Sequence, residues 1–268
     1  MPPMPPRPSG WPRRWRGWGN LALVLATTTP GEAEIFASLQ GEGPSIGRPS
    51  VFVRLSRCNL ACTWCDTAYT WRFAGDNRPH RDGVAFERAA NQLTLDEAEV
   101  AMRIMALGQP RLVITGGEPL LQGPALARMV EALKEAVPNL HIEIETNGTV
   151  APHPALDALV DQYNVSPKLA HSGNPAGLAL IPERLATWAA DDRAFFKFVV
   201  CEATDLAEVA ALQQRYAIPP DRLYVMPEGT LGATLRERSR WLAEAAQSAG
   251  WRLTDRLHIH LYGDTRGT

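Results

Sequence analysis

The chain has 268 residues, enough for one large domain or two small ones with a substantial buried core. Its composition, 45% hydrophobic and 21% charged, is that of a soluble globular protein, and no run reaches the roughly 18 apolar residues of a membrane span. A formal net charge of -2 argues against a nucleic-acid binder that neutralises phosphates, so an enzyme or small-ligand protein is expected, with neither nucleic acid nor membrane as partner.

The start of the chain is dense in Pro, Arg and Trp, a composition that does not fold by itself. Arg13-Arg14 ahead of the apolar run Leu21–Ala26 has the outline of a twin-arginine export signal, but the run is short of the roughly 7–15 residues such a signal carries. Residues 1–33 therefore read as a disordered extension, or as a start assigned too early, and residues 34–268 as one domain of a cytoplasmic protein.

Beyond Glu34, short β-branched runs alternate with amphipathic segments. The pattern predicts strands at Val51–Ser56, Leu112–Thr115, His141–Thr146, Gln162–Ser166, Phe195–Val200, Leu223–Met226 and Leu257–Leu261. Thr94-Leu95-Asp96-Glu97 reads as a capping box opening a helix with Leu95, Ala98, Met102 and Met105 on one face and Gly108 as its stop. Leu126, Met129, Val130, Leu133 and Val137 repeat the helical spacing, as do Leu206, Val209, Ala210 and Leu212 after Thr204. A last helix fits Ala233–Ser248, closed by Gly250. This alternation predicts an α/β fold with a parallel sheet and crossover helices; a barrel, an incomplete barrel and a doubly wound sheet all satisfy it. In each, functional residues gather at the C-terminal ends of the strands.

Cys58, Cys62 and Cys65 stand in C-x3-C-x2-C spacing directly after a predicted strand, while Cys201 closes an apolar run and reads as a buried small hydrophobe. Three thiolates in one loop can converge on one inorganic centre. A structural zinc site wants four ligands, and no neighbouring His or Cys offers the fourth. Iron–sulfur chemistry with one iron left open suits the site better. The loop resembles the cluster motif of the radical S-adenosylmethionine (SAM) superfamily. That resemblance implies an incomplete TIM-type barrel, a 4Fe-4S cluster on Cys58, Cys62 and Cys65, and SAM as the cofactor that supplies the radical.

Thr115-Gly116-Gly117-Glu118-Pro119 ends the next strong strand and resembles the superfamily's Gly-Gly-Glu-Pro motif, which meets the cofactor's amino group through backbone carbonyls. By the same resemblance Gly116, Gly117, Glu118, Ser166, Pro167, Lys168, Met226, Pro227 and Glu228 are expected to contact SAM. Glu145, Asn147 and Lys197 are further polar residues at or within strand ends.

The segment Glu34-Ile35-Phe36-Ala37-Ser38-Leu39-Gln40-Gly41-Glu42-Gly43-Pro44 resembles the entry motif of the 7-carboxy-7-deazaguanine synthase family. The resemblance covers residues 34–268. It implies that Leu39, Gln40, Gly41, Glu42, Arg54 and Thr115 hold a pterin, with Arg54 suited to a bidentate pair with a carboxylate. Thr67, after Cys65-Asp66, would ligate Mg2+, and Thr268 would belong to a lid over the substrate. The implied reaction converts 6-carboxy-5,6,7,8-tetrahydropterin to 7-carboxy-7-deazaguanine with loss of ammonia. An electron donor such as flavodoxin or ferredoxin and a homodimer are expected with it. A glycyl-radical activase of the same superfamily and a non-catalytic zinc-stabilised binding module are the alternative readings.

Overall fold

The computed structural model describes residues 21–268. The chain runs through β1 (Ala22–Thr29), β2 (Glu32–Ala33), β3 (Ile35–Leu39), β4 (Pro49–Leu55), α1 (Arg88–Asn91), β5 (Gln92–Asp96), α2 (Glu97–Leu107), β6 (Arg111–Gly116), α3 (Gly123–Ala136), β7 (His141–Thr146), α4 (Pro154–Asp157) and β8 (Gln162–Val165). It continues through α5 (Ala176–Ala179), α6 (Pro182–Ala190), β9 (Ala194–Val200), α7 (Asp205–Tyr216), β10 (Leu223–Pro227), α8 (Gly232–Ala249), β11 (Arg252–Leu253) and α9 (Leu257–Tyr262). One sheet runs β11-β10-β9-β8-β7-β6-β4-β1-β2, with β3 also on β4 and β5 on β1. From β4 to β11 the neighbours are parallel, while β1, β3 and β5 are antiparallel additions. Its two ends do not meet, so the barrel is incomplete, as expected.

Strand alternation divides the parallel sheet into two chemically different faces. Val53, Leu55, Leu112, Ile114, Ile142, Ile144, Phe196, Phe198, Leu223 and Val225 join one buried apolar cluster with Leu126, Met129, Val130 and Leu133 of α3. Burying Leu126 and Leu133 completely stabilises the sheet–helix interface by roughly 2 kcal/mol each. The intervening positions are Arg54, Thr115, Glu143, Glu145, Gln162, Asn164 and Lys197. Register sets Arg54 beside Thr115, and Glu145 beside Asn164. A sheet face this polar does not form a dry core. It builds a site.

Four expectations are corrected. Residues 22–33, assigned to the extension, form β1 and β2; β1 contributes the buried Leu23 and Leu25 and pairs with β5 from Ala22↔Asp96 to Ala26↔Gln92. The expected disorder of residues 1–20 falls outside the described residues. Because Gln92–Asp96 pairs as a strand, the α2 cap is Asp96, whose side chain accepts from Glu99 N–H, and the buried face is Val100, Ala101 and Ile104. Leu257–Leu261 is helical in α9, since β11 already occupies the outer edge of β10 and only Ile259 is buried. Cys201 is half-buried among polar groups rather than in the core.

Candidate active site

A cleft of about 450 Å³ opens on the polar face. Its wall takes in Gln40 and Glu42 after β3, Arg54 on β4, the three loop cysteines, Thr115-Gly116-Gly117 at the end of β6, Ser166 and Lys168 after β8, and Lys197 on β9. Two of these segments are locked together by backbone. Gly117 N–H donates to Leu55 C=O at 3.0 Å and Glu118 N–H to Arg57 C=O at 2.9 Å, joining the Gly-Gly turn to the exit of β4. A Cβ on Gly117 would lie 2.1 Å from the Arg57 oxygen, so close approach of the two loops, as well as access to a ligand, requires glycine there.

Each cysteine sulfur faces an N–H donor: Cys62 takes Asn174 Nδ2 at 3.3 Å, Cys65 takes Trp71 Nε1 at 3.4 Å, and Asn147 Nδ2 stands 4.0 Å from Cys58. Burial, followed by the nearby Glu118 carboxylate, pushes the Cys58 thiol up to about 12, and burial raises Cys62 and Cys65 as well. Thiols in such surroundings ionise when a metal draws off their protons. Among the described residues, only His171, Cys201 and Asp205 bring three donor atoms within 4.8 Å of one another. The three loop thiols therefore stand wider apart than ligands of a single zinc ion, and they suit a multi-iron cluster held with one open position. Asparagine and indole N–H groups around the sulfurs are the surroundings such a cluster uses.

The same cleft holds a connected charge network. Lys197 pairs with Glu42, and Arg256 pairs with both Glu42 (3.0 Å) and Asp66 while donating to Gly229 C=O at 2.6 Å. Burial alone would raise the Glu42 pKa, but Lys197, Arg256 and His258 outweigh it and hold the carboxyl well below the usual carboxylate range. Gln40 Nε2 donates to Glu143 at 2.7 Å and to Glu145 at 3.2 Å, and Thr115 Oγ1 donates to Glu145 at 2.9 Å. Stacked Phe36 and Phe52 rings, 5.2 Å apart, add a flat apolar wall. The cleft thus presents an aromatic platform, fixed carboxylates and amides, and a cysteine loop.

The Radical SAM superfamily model matches residues 53–169. A 7-carboxy-7-deazaguanine synthase from Pyrobaculum aerophilum is 38% identical over 235 residues, covering 87% of this chain and 95% of the relative. The chain belongs to the 7-carboxy-7-deazaguanine synthase family. A second such synthase, from Hyperthermus butylicus, is 37% identical over 85% of this chain and 90% of its own length. The crystal structure of QueE from Escherichia coli shares the fold, with a TM-score of 0.60 and 24% identity over 88% of this chain and 95% of that one. As a radical SAM enzyme of this family the protein uses a 4Fe-4S cluster and SAM.

Against the expectations for a 7-carboxy-7-deazaguanine synthase, the cleft wall gathers Leu39, Gln40, Gly41, Glu42, Arg54, Cys58, Cys62, Cys65, Thr67, Thr115, Gly116, Gly117, Ser166, Lys168, Met226, Glu228 and Thr268. Glu118, Pro167 and Pro227 are not in that wall. The Glu118 carboxylate turns inward, accepting from Thr146 Oγ1 at 2.9 Å and from the N–H groups of Asn147 (2.7 Å) and Leu120 (3.0 Å). Arg54 is neither free nor a surface pair: its Nε bonds buried Glu34 at 2.8 Å, which also accepts from Tyr69 OH at 2.9 Å. Glu228 is clasped by Arg81 and Arg238. Arg256 and His258 were missed. Their signal was two basic residues just after β11, but the partner Glu42 lies 214 residues from Arg256 in the chain, beyond any spacing rule.

Proposed function

We propose that this chain is a 7-carboxy-7-deazaguanine synthase, converting 6-carboxy-5,6,7,8-tetrahydropterin to 7-carboxy-7-deazaguanine with release of ammonia, a step toward deazapurines such as queuosine. The supporting observation is the meeting of the cysteine loop, the Gly-Gly turn and the Gln40–Glu42 segment on one cleft. The relatives named above carry this activity in their names.

When bound and reduced, the cluster would cleave SAM and supply a 5′-deoxyadenosyl radical. The chain's own residues bind and orient. Cys58, Cys62 and Cys65 would hold the cluster, and the backbone of Gly116-Gly117 with Ser166 and Lys168 would hold SAM. Gln40, Glu42, Thr115 and Glu145 offer fixed acceptors and an amide to the hydrogen-bonding edge of a pterin, with Phe36 and Phe52 beside its plane. Arg54, whose Nε is already held by Glu34, would turn its remaining guanidinium N–H groups to the substrate carboxylate, while Lys197 stays paired with Glu42. Thr67, on the wall next to Asp66, would help hold Mg2+. The tail from Asp264 to Thr268 lines the same cleft and would shield the substrate from water.

We further propose a one-electron donor of the flavodoxin or ferredoxin type, a cytoplasmic location and a homodimer. Among the described residues no helix is long and apolar enough to cross a membrane. The function is tested with anaerobically reconstituted protein, reductant and SAM, with and without the pterin. Pterin-dependent turnover that disappears in Cys62→Ala together with iron and sulfide is expected. Iron loading without any response to the pterin counts against the assignment.

A further inference from the structure

Outside the cleft, at the exit of β9, the Cys201 sulfur lies 3.3 Å from His171 Nδ1. The other ring nitrogen of His171, Nε2, stands 3.0 Å from the Val199 carbonyl, which only accepts, so the ring proton sits on Nε2. A lone pair on Nδ1 is thereby aimed at the sulfur, the arrangement in which a histidine is oriented for ligation by its second nitrogen. Asp205, the first residue of α7, approaches the same ring from its Nε2 side, with Oδ2 3.8 Å from that nitrogen. Its Oδ2 is fixed by the N–H groups of Cys201 at 2.8 Å and Glu202 at 3.0 Å. One donor atom from each of the three residues lies within 4.8 Å of the others.

Thiolate sulfur, imidazole nitrogen and carboxylate oxygen together select a borderline transition cation; magnesium and calcium prefer oxygen alone. We propose that His171, Cys201 and Asp205 form a binding site for a zinc-type divalent cation. Three protein ligands leave a fourth position to solvent, and the half-buried Cys201 and His171 leave it reachable. Binding turns the Cys201 thiol into a thiolate and releases its proton to solvent.

The site sits behind the cysteine loop. His171 stacks on Trp64 with ring centroids 5.5 Å apart, and Trp64 lies between Cys62 and Cys65. The same turn offers Ser172 C=O to Thr63 N–H at 2.9 Å and Asn174 Oδ1 to Ala61 N–H at 2.9 Å, while Asn174 Nδ2 reaches the Cys62 sulfur. A cation tying His171 to the β9–α7 junction therefore holds the turn that supports the cysteine loop. Occupancy would stiffen that loop from outside the cleft.

The test uses protein with its cluster reconstituted anaerobically and then stripped of loosely held metal. Co2+ is titrated as the optical probe and Zn2+ as its competitor. One cobalt per chain beyond the iron, with a thiolate-to-cobalt absorption band displaced by zinc, is expected. Cys201→Ser should lose the band and His171→Gln should lose most of the cobalt uptake, both with unchanged iron content and thermal melting near wild type. Absence of cobalt uptake by the wild type overturns the proposal, as does an unchanged band in Cys201→Ser. The readout is metal uptake, so it stands apart from whether the pterin is turned over.

Discussion

The ammonium of Lys197, in the middle of β9, pairs with the carboxylate of Glu42, which precedes it by 155 residues. The pair joins the loop after β3 to the far side of the sheet, and Arg256 completes it from beyond β11. Both partners are largely withdrawn from water, so removing one leaves the other charge poorly compensated. Glu42→Gln is therefore expected to destabilise the fold by about 2 kcal/mol at neutral pH, Lys197 retaining Glu145 as a second neighbour at 3.9 Å. Chemical denaturation of the two proteins measures this directly, and the Glu42→Gln enzyme should also bind the pterin more weakly.

The same pair predicts a pH dependence. Glu42 has its folded-state pKa lowered from 4.5, so its stabilisation is present above that value and is lost as pH falls below it. Wild type should exceed Glu42→Gln in melting temperature at pH 7, with the gap narrowing as pH falls below 4.5. A gap that stays constant into that acid range would contradict the pairing.

Glu118 behaves oppositely. Burial, only partly offset by its hydrogen bonds to Asn147, Leu120 and Thr146, raises its carboxyl from 4.5 to about 7. A raised folded-state pKa gives stability that is complete below 4.5 and declines as pH rises through about 7. Wild type should accordingly lose stability relative to Glu118→Gln across that window, read from melting curves.

Gly117→Ala places a Cβ 2.1 Å from the Arg57 carbonyl oxygen and 2.9 Å from Cys58 Cβ. Backbone cannot yield there without breaking the bonds that join the two loops, so a loss of about 3 kcal/mol is expected. Iron content after reconstitution should fall with it. A fully loaded, normally stable Gly117→Ala protein would show that the loops are not locked together.

Arg266 fixes the tail. Its guanidinium lies 3.5 Å over the Tyr69 ring and donates to Asn91 Oδ1 at 2.9 Å. Arg266→Ala should raise the KM for the pterin roughly tenfold, equivalent to about 1.4 kcal/mol, with iron content unchanged. Steady-state kinetics beside an iron assay separates this from a general loss of structure.

The parallel strands were legible because β4, β6, β7, β9 and β10 carry dense β-branched or aromatic runs, and the cysteine and Gly-Gly motifs sit at their ends. β1 was hidden because its apolar run follows a Pro-, Arg- and Trp-rich start and was assigned with it to a disordered extension. α9 was misread because Leu257, Ile259 and Leu261 alternate with two histidines, a period of two that only the occupied edge of β10 overrules. The charge network was invisible for a different reason. Pairings such as Arg256 with Asp66, 190 residues apart, are set by sheet order and leave no local pattern. Cys201 looked apolar from its neighbours in sequence, whereas His171 meets it only through the fold.

The most direct test of the account is to identify the product. Reconstituted wild-type protein is incubated without oxygen with 6-carboxy-5,6,7,8-tetrahydropterin, SAM, Mg2+ and reductant, and the mixture is resolved by mass spectrometry. The account predicts 7-carboxy-7-deazaguanine and free ammonia in equal amounts. Cleavage of SAM with the pterin recovered unchanged, from protein carrying its full cluster, would contradict it.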